Sequence, residues 1–193
     1  LEDAGASLEH VVRAELHMTN MEDIAIVDEL WDEYFPSNPP ARVIIPVPLV
    51  VLPMRIESEF IAVDPKGPYK KEIIKFKSIS NSISPESIAV KAGPYLFISG
   101  QMATDHKNGL APSARPNPNF PYHQNQARLE AKFILENISN ICNEAGTSIE
   151  NLVKRRIHYT DLSDIPVTED LWKDRLGERL PPTTIFKTSG PLP

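Results

Sequence analysis

Arg42 closes the stretch "PPAR", and Glu57 follows fifteen residues later in "RIESEF". An arginine can take a carboxylate through two parallel hydrogen bonds where a lysine cannot. A glutamate can position or activate water at an electrophilic carbon. By type and spacing alone neither residue stands out, because charged side chains in and near strands mostly face solvent. Glu59 shares a strand face with Glu57 and is its rival for the same work. His17 and His158 fall on polar strand positions with no Cys, His or Asp at ligand spacing, which favours structural or solvated histidines over metal ligands. His106 and His123 end a long loop and form no recognisable ligand set. Cys142 sits on an apolar helix stripe, the setting of a buried, inert thiol. Neither a Gly-rich phosphate loop nor G-x-S-x-G occurs. No cofactor and no metal is therefore expected.

The elements that must carry these residues are written twice. Residues 4–40 and 145–181 align without a gap at an offset of 141, with 12 identities in 37 pairs. These include Ser7 with Ser148, His17 with His158, Thr19 with Thr160 and Trp31 with Trp172. A repeat of this length signals a duplicated domain-sized unit. Within the first copy, Val12, Ala14, Leu16 and Met18 alternate with polar residues, which predicts a strand with one buried face. Ile24, Val27, Leu30, Trp31 and Tyr34 then follow helical spacing behind Asn20, a suitable N-cap. "RIESEFIAV" and "YLFISGQMAT" read as further strands. A long helix is predicted over about 125–144, with Ala131, Ile134, Leu135, Ile138, Ile141 and Cys142 on its stripe and Gly146 as its stop.

The order strand, helix, strand, strand, linker, strands, long helix, strand, helix predicts a mixed α/β (α+β) fold with helices packed on one face of a sheet. The expected division is 1–63, a lysine-bearing linker over 64–84, and 85–193. The linker's five lysines read as a solvated connector. With 193 residues, 41% hydrophobic and 24% charged, the composition is ordinary for a globular chain. A net charge of -6 and a pI near 5.4 speak against nucleic acid as a main partner. One cysteine allows no internal disulfide and no stretch suits a membrane helix, so the cytoplasm is the expected compartment.

"AGASLEHVVRAELHMTNMEDIAIVDELWDEYFPSNPPAR" followed by "RIESEFIAV" resembles the C-terminal half of the Rid (YjgF/YER057c/UK114) family domain. "SPESIAVKAGPYLFISGQMATD" resembles that family's N-terminal hairpin, and "AKFILENISNICNEAGTSIENLVKRRIHYTDLSD" its first helix and third strand. The chain thus looks like the back half of one Rid-like domain joined to most of a second that lacks its last strand. The resemblance implies chorismate-mutase-like barrel units and trimers with ligand sites in clefts between subunits. Here that would mean a homo-oligomer, either a trimer or a pseudo-trimeric or hexameric assembly. It also implies hydrolysis of small 2-imino or enamine acids to 2-keto acids and ammonia. Arg42 would hold the substrate carboxylate and Glu57 would handle the water.

Several positions depart from the family pattern. Glu86 stands in "PESIA" where the family has a tyrosine that helps enclose the substrate, and Ser87 is retained beside it. Glu22 and Ser163 replace a pocket asparagine, and Ile44 replaces a frequent cysteine. Thr183 lies opposite Arg42 in the repeat, so the second copy is expected to be inactive. Glu22, Glu59 and Ser87 are accordingly further candidate site residues. The alternatives are a non-catalytic small-ligand-binding or assembly module, and a ribonuclease, which the acidic balance and the lack of a stacking platform disfavour.

Overall fold

The structure is a computed structural model that describes residues 1–77, 79 and 82–188. It divides into two compact units, one of residues 1–75 with 82–100, the other of 76, 77, 79 and 101–188. This corrects the division expected from sequence. The hairpin assigned to a second domain folds with the first unit, and the expected linker carries a strand of the same sheet.

In the first unit, β1 (Val11–Met18) lies between β2 (Ala41–Pro46), parallel to it, and β3 (Ile56–Ala62), antiparallel to it. The helix α1 (Ile24–Tyr34) makes the crossover that a parallel β1–β2 pair requires. Asn20 does not cap α1 directly. It accepts from the Glu22 amide and starts the 3-10 turn Met21–Asp23 that leads into the helix. A second sheet in this unit has the order β4-β5-β6, with β4 (Lys71–Ile73), β5 (Ala89–Ala92) and β6 (Tyr95–Ile98) all antiparallel.

Strict alternation along β1 puts Val12 with Ala14 and Leu16, but a bulge between Val11 and Arg13 breaks the register. Val11 instead joins Ala14, Leu16, Trp31 and Phe35 in the core beneath α1. Val12 packs on the opposite side with Ala41, Val90 and Ala92. The strand is consequently buried on both faces, and burying each large apolar side chain contributes about 1.5–3 kcal/mol. On α1, Trp31 is buried while Leu30 and Tyr34, expected on the core face, are 48% and 61% exposed.

The second unit contains α2 (Gln126–Glu144), β7 (Arg155–Tyr159), α3 (Ile165–Leu176) and β8 (Thr183–Lys187), with β7 and β8 parallel. Asn125 caps α2 by accepting from the Arg128 amide at 2.8 Å, and Gly146 takes the left-handed φ of 78° that ends the segment. Leu135, Ile141 and Cys142 are buried on the predicted stripe. Among the described residues no helix is long and apolar enough to cross a membrane.

Candidate functional site

Arg42 sits near the start of β2, opposite Ala14 in the parallel register. A methyl group is all that Ala14 places on this face, and the guanidinium lies across it toward α1. It stacks 4.9 Å from the Trp31 ring centroid, a cation–π contact, with Nη2 2.7 Å from Asp28 Oδ1. Its Nε is 3.5 Å from Glu86 Oε2, and the arginine side chain has no exposure to solvent. The close approaches are ion pairs rather than aligned hydrogen bonds, and buried Nη1 has no hydrogen-bond acceptor among the described residues. Burial pushes Glu86 up to about 7 despite the opposing pull of Arg42.

The backbone here is pinned by two serines. The Arg42 amide donates to Ser99 Oγ at 2.8 Å, and Ser99 Oγ donates to the Ser87 carbonyl at 2.7 Å. Ser87 Oγ in turn donates to the Pro39 carbonyl at 2.6 Å. Ser87, a predicted site residue, thus fastens the segment that brings Glu86 to Arg42.

Glu57 and Glu59 are elsewhere. They pair with His17 and Glu15, whose side chains alternate to the sheet face opposite Ala14, so Arg42 and Glu57 project from opposite faces. That second face holds Arg13, which donates to Glu15 Oε1 through Nε at 3.1 Å and Nη2 at 2.7 Å, and to the Ile98 carbonyl. Burial lowers the Arg13 pKa, and the charge of Glu59 works against that shift. Glu57 and Glu59 are exposed. Glu22 is exposed in its 3-10 turn and accepts from Asn20 Nδ2 at 3.4 Å. Sequence reasoning missed Asp28, Trp31 and Arg13. The signal for the first two was present, because the repeat keeps an acid and a tryptophan three residues apart, as Glu169 and Trp172.

The second unit builds the same seat with a different strand. Arg155, on β7, is paired with Thr183 in the register that pairs Ala14 with Arg42. Its guanidinium lies 4.7 Å from the Trp172 centroid, with Nη2 2.6 Å from Glu169 Oε2 and Nε donating to Thr183 Oγ1 at 2.6 Å. The arginine and the small residue have exchanged places across a strand pair, and the cation still covers the tryptophan.

A family model described as Endoribonuclease L-PSP matches residues 1–64 and 79–188. The chain belongs to this family. Members of the same Rid group are found among both curated proteins and solved structures. A RutC family protein of Pyrococcus abyssi is 27% identical over 119 residues, covering 62% of this chain and 85% of that protein. The 2-iminobutanoate/2-iminopropanoate deaminase of Bos taurus is 27% identical over 120 residues, covering 62% of this chain and 79% of that protein. The crystal structure of a Rid family protein, YyfA of Yersinia pestis, matches with a TM-score of 0.51 and 24% identity over 62% of this chain and 86% of that one. Yeast Mmf1 gives 0.52 and 19%, over 64% of this chain and 90% of its own. At these identities the two structures establish the α+β Rid fold.

Of the other reactive residues of this Rid chain, His158, His123 and Cys142 belong to the second unit. His158 stacks on Phe186 with centroids 5.5 Å apart, and His123 lies beside Phe120. Cys142 is buried, and burial raises its thiol pKa. Among the described residues no group of three His, Cys, Asp or Glu side chains could hold a metal ion.

Proposed function

We propose that the first unit is a small-organic-acid site of the deaminase type, in which Arg42 holds the carboxylate of a 2-imino or enamine acid and Glu86 guards it. The observation that carries this reading is that Arg42 already has a carboxylate against it. Glu86 Oε2 stands 3.5 Å from Nε, and Nη1 of the same buried guanidinium has no acceptor among the described residues. The name of the Bos taurus relative supports an imino acid as the substrate class.

In the reaction, water adds to the electrophilic imine carbon, the carbon–nitrogen bond breaks, and ammonia leaves a 2-keto acid. The substrate carboxylate must displace Glu86. A group titrating at about 7 can do this by taking a proton, and it also has the pKa suited to general acid–base work near neutrality. Because Glu57 faces away from Arg42, it can handle the water only if it comes from a neighbouring copy in a homo-oligomer, trimeric or pseudo-trimeric.

The test is acceleration of 2-iminobutanoate hydrolysis by the wild-type chain, Glu86→Gln and Arg42→Lys. Acceleration by the wild type that Arg42→Lys abolishes is expected. Rates at the uncatalysed level for both wild type and Glu86→Gln would remove the catalytic reading. A second reading, a non-catalytic ligand-binding or assembly module, is favoured by the complete enclosure of Arg42. Saturable binding of a 2-keto acid without turnover is its positive sign.

A further inference from the structure

The strand β4 (Lys71–Ile73) falls between the two matched segments, 1–64 and 79–188, so none of its residues is part of the family pattern. Five lysines occur over 64–84, and Lys66, Lys70, Lys75 and Lys77 are exposed. Lys71 is half-buried. Register explains why. Lys71 pairs with Ala92 and Ile73 with Val90, so the two side chains share one face of β4. Ile73 packs there on the core of Val12, Ala41, Val90 and Ala92. The aliphatic stem of Lys71 continues that face to its edge, and the amine turns out to the backbone.

Lys71 Nζ donates to the Asn38 carbonyl at 2.7 Å. Among the described residues this carbonyl is its only hydrogen-bond partner, and no carboxylate lies within ion-pair distance. The acceptor is held in place. Asn38 has a left-handed φ of 51°, and the next two carbonyls, Pro39 and Pro40, accept from Ser87 Oγ at 2.6 Å and from the Ser87 amide at 3.3 Å. Burial lowers the Lys71 pKa from 10.5 to about 8, and the charge of Glu9 works against that shift. A lysine is a nucleophile only when unprotonated, and desolvation beside a neutral acceptor favours that form. The carbonyl engages an N–H and leaves the nitrogen lone pair free.

We propose that Lys71 is a covalent capture site for small neutral aldehydes. Its lone pair adds to the carbonyl carbon and forms the carbon–nitrogen bond of a carbinolamine. One amine proton moves to the oxygen, which takes a second proton from solvent and leaves as water. The resulting iminium keeps one N–H, which can donate to the Asn38 carbonyl as the amine did. No oxidant or reductant is consumed, and Arg42 takes no part. Glu9 sets the preference for a neutral ligand, because its charge acts at the amine and repels a carboxylate.

The test is reductive trapping on the full chain with propanal and cyanoborohydride at about pH 7.5, the adducts being located by peptide sequencing in the mass spectrometer. Lys70 is the internal standard, because its Nζ also donates to a backbone carbonyl, that of Pro65 at 2.8 Å, yet its side chain is exposed. In the folded chain Lys71 is expected to label about tenfold faster than Lys70, and in concentrated urea at the same rate. Lys71→Arg should remove the fast phase and leave the Lys70 rate unchanged. With 2-oxobutanoate in place of propanal the ratio of Lys71 to Lys70 labelling should fall, and Glu9→Gln should restore part of it. Equal labelling of the two lysines in the folded chain overturns the proposal, as does a preference for Lys71 that survives unfolding. A ratio higher with 2-oxobutanoate than with propanal would overturn the assignment to neutral ligands.

Discussion

The two units place a guanidinium on a tryptophan in the same way and deliver it from different strands. In the first, Arg42 reaches from β2 across Ala14; in the second, Arg155 reaches from β7 beside Thr183. Each meets an acid three residues before the tryptophan, Asp28 at 2.7 Å or Glu169 at 2.6 Å. What the two units share is a location for positive charge between a helix and a strand pair. The difference is what flanks it. Arg42 has a second carboxylate, Glu86, where Arg155 has the hydroxyl of Thr183. The shared part is an architectural clamp, and the unshared part is where ligand chemistry can differ between the units.

Removing the common platform should have the largest effect. Trp31→Ala leaves a cavity and strips the cation of its aromatic face, so urea denaturation should show a loss of about 3–5 kcal/mol, with Trp172→Ala comparable in its own unit. Next comes the strand exchange itself. Arg42→Thr strands the charge of Asp28 and should cost about 3 kcal/mol, and adding Ala14→Arg should restore more than half by copying the second unit. A double variant no more stable than the single one would break the equivalence of the two seats.

A smaller effect should appear with pH. Glu86 is raised from its ordinary 4.5 to about 7, so the folded chain binds this proton more tightly than the unfolded chain does. Its contribution is full below pH 4.5, declines as pH rises toward about 7 and is gone above it. The expected total is of the order of 1–3 kcal/mol. Glu86→Gln should flatten this part of the stability–pH curve, while a substitution of Glu169 should leave it in place. The smallest expected effect is on ligand affinity. Binding of a small 2-keto acid should tighten about tenfold between about pH 8 and about pH 6 as Glu86 is neutralised, and Glu86→Gln should remove that dependence.

Much of the fold was legible because local signals agreed with it. Asn125, the stripe from Ala131 to Cys142 and Gly146 define α2, and the alternation from Ala14 to Met18 defines most of β1. Where local pattern met tertiary structure, it failed for identifiable reasons. The bulge beyond Val11 reverses the faces of Val11 and Val12, and no turn residue announces it. Leu30 and Tyr34 have the spacing of a core face, but in this unit they remain largely exposed. The expected linker over 64–84 hides β4, whose three residues join a sheet only because β5 lies beside them.

The candidate site was half legible. Arg42 and Ser87 were named as candidates, and the structure brings Glu86, the neighbour of Ser87, within 3.5 Å of Arg42. Glu57 shares the strand order but not the sheet face, a distinction that spacing along the chain cannot reveal across three strands. Arg155 escaped because gapless alignment compares it with Ala14 and compares Arg42 with Thr183. Its equivalence to Arg42 exists only across the β7–β8 pair.

The most direct measurement is the Arg42 Nε–H resonance during titration of 2-oxobutanoate into the Glu86→Gln chain. The account predicts a saturable shift of that resonance, with tighter binding than in the wild type. An Arg42 signal that stays unmoved while the ligand binds elsewhere, or does not bind, would contradict it.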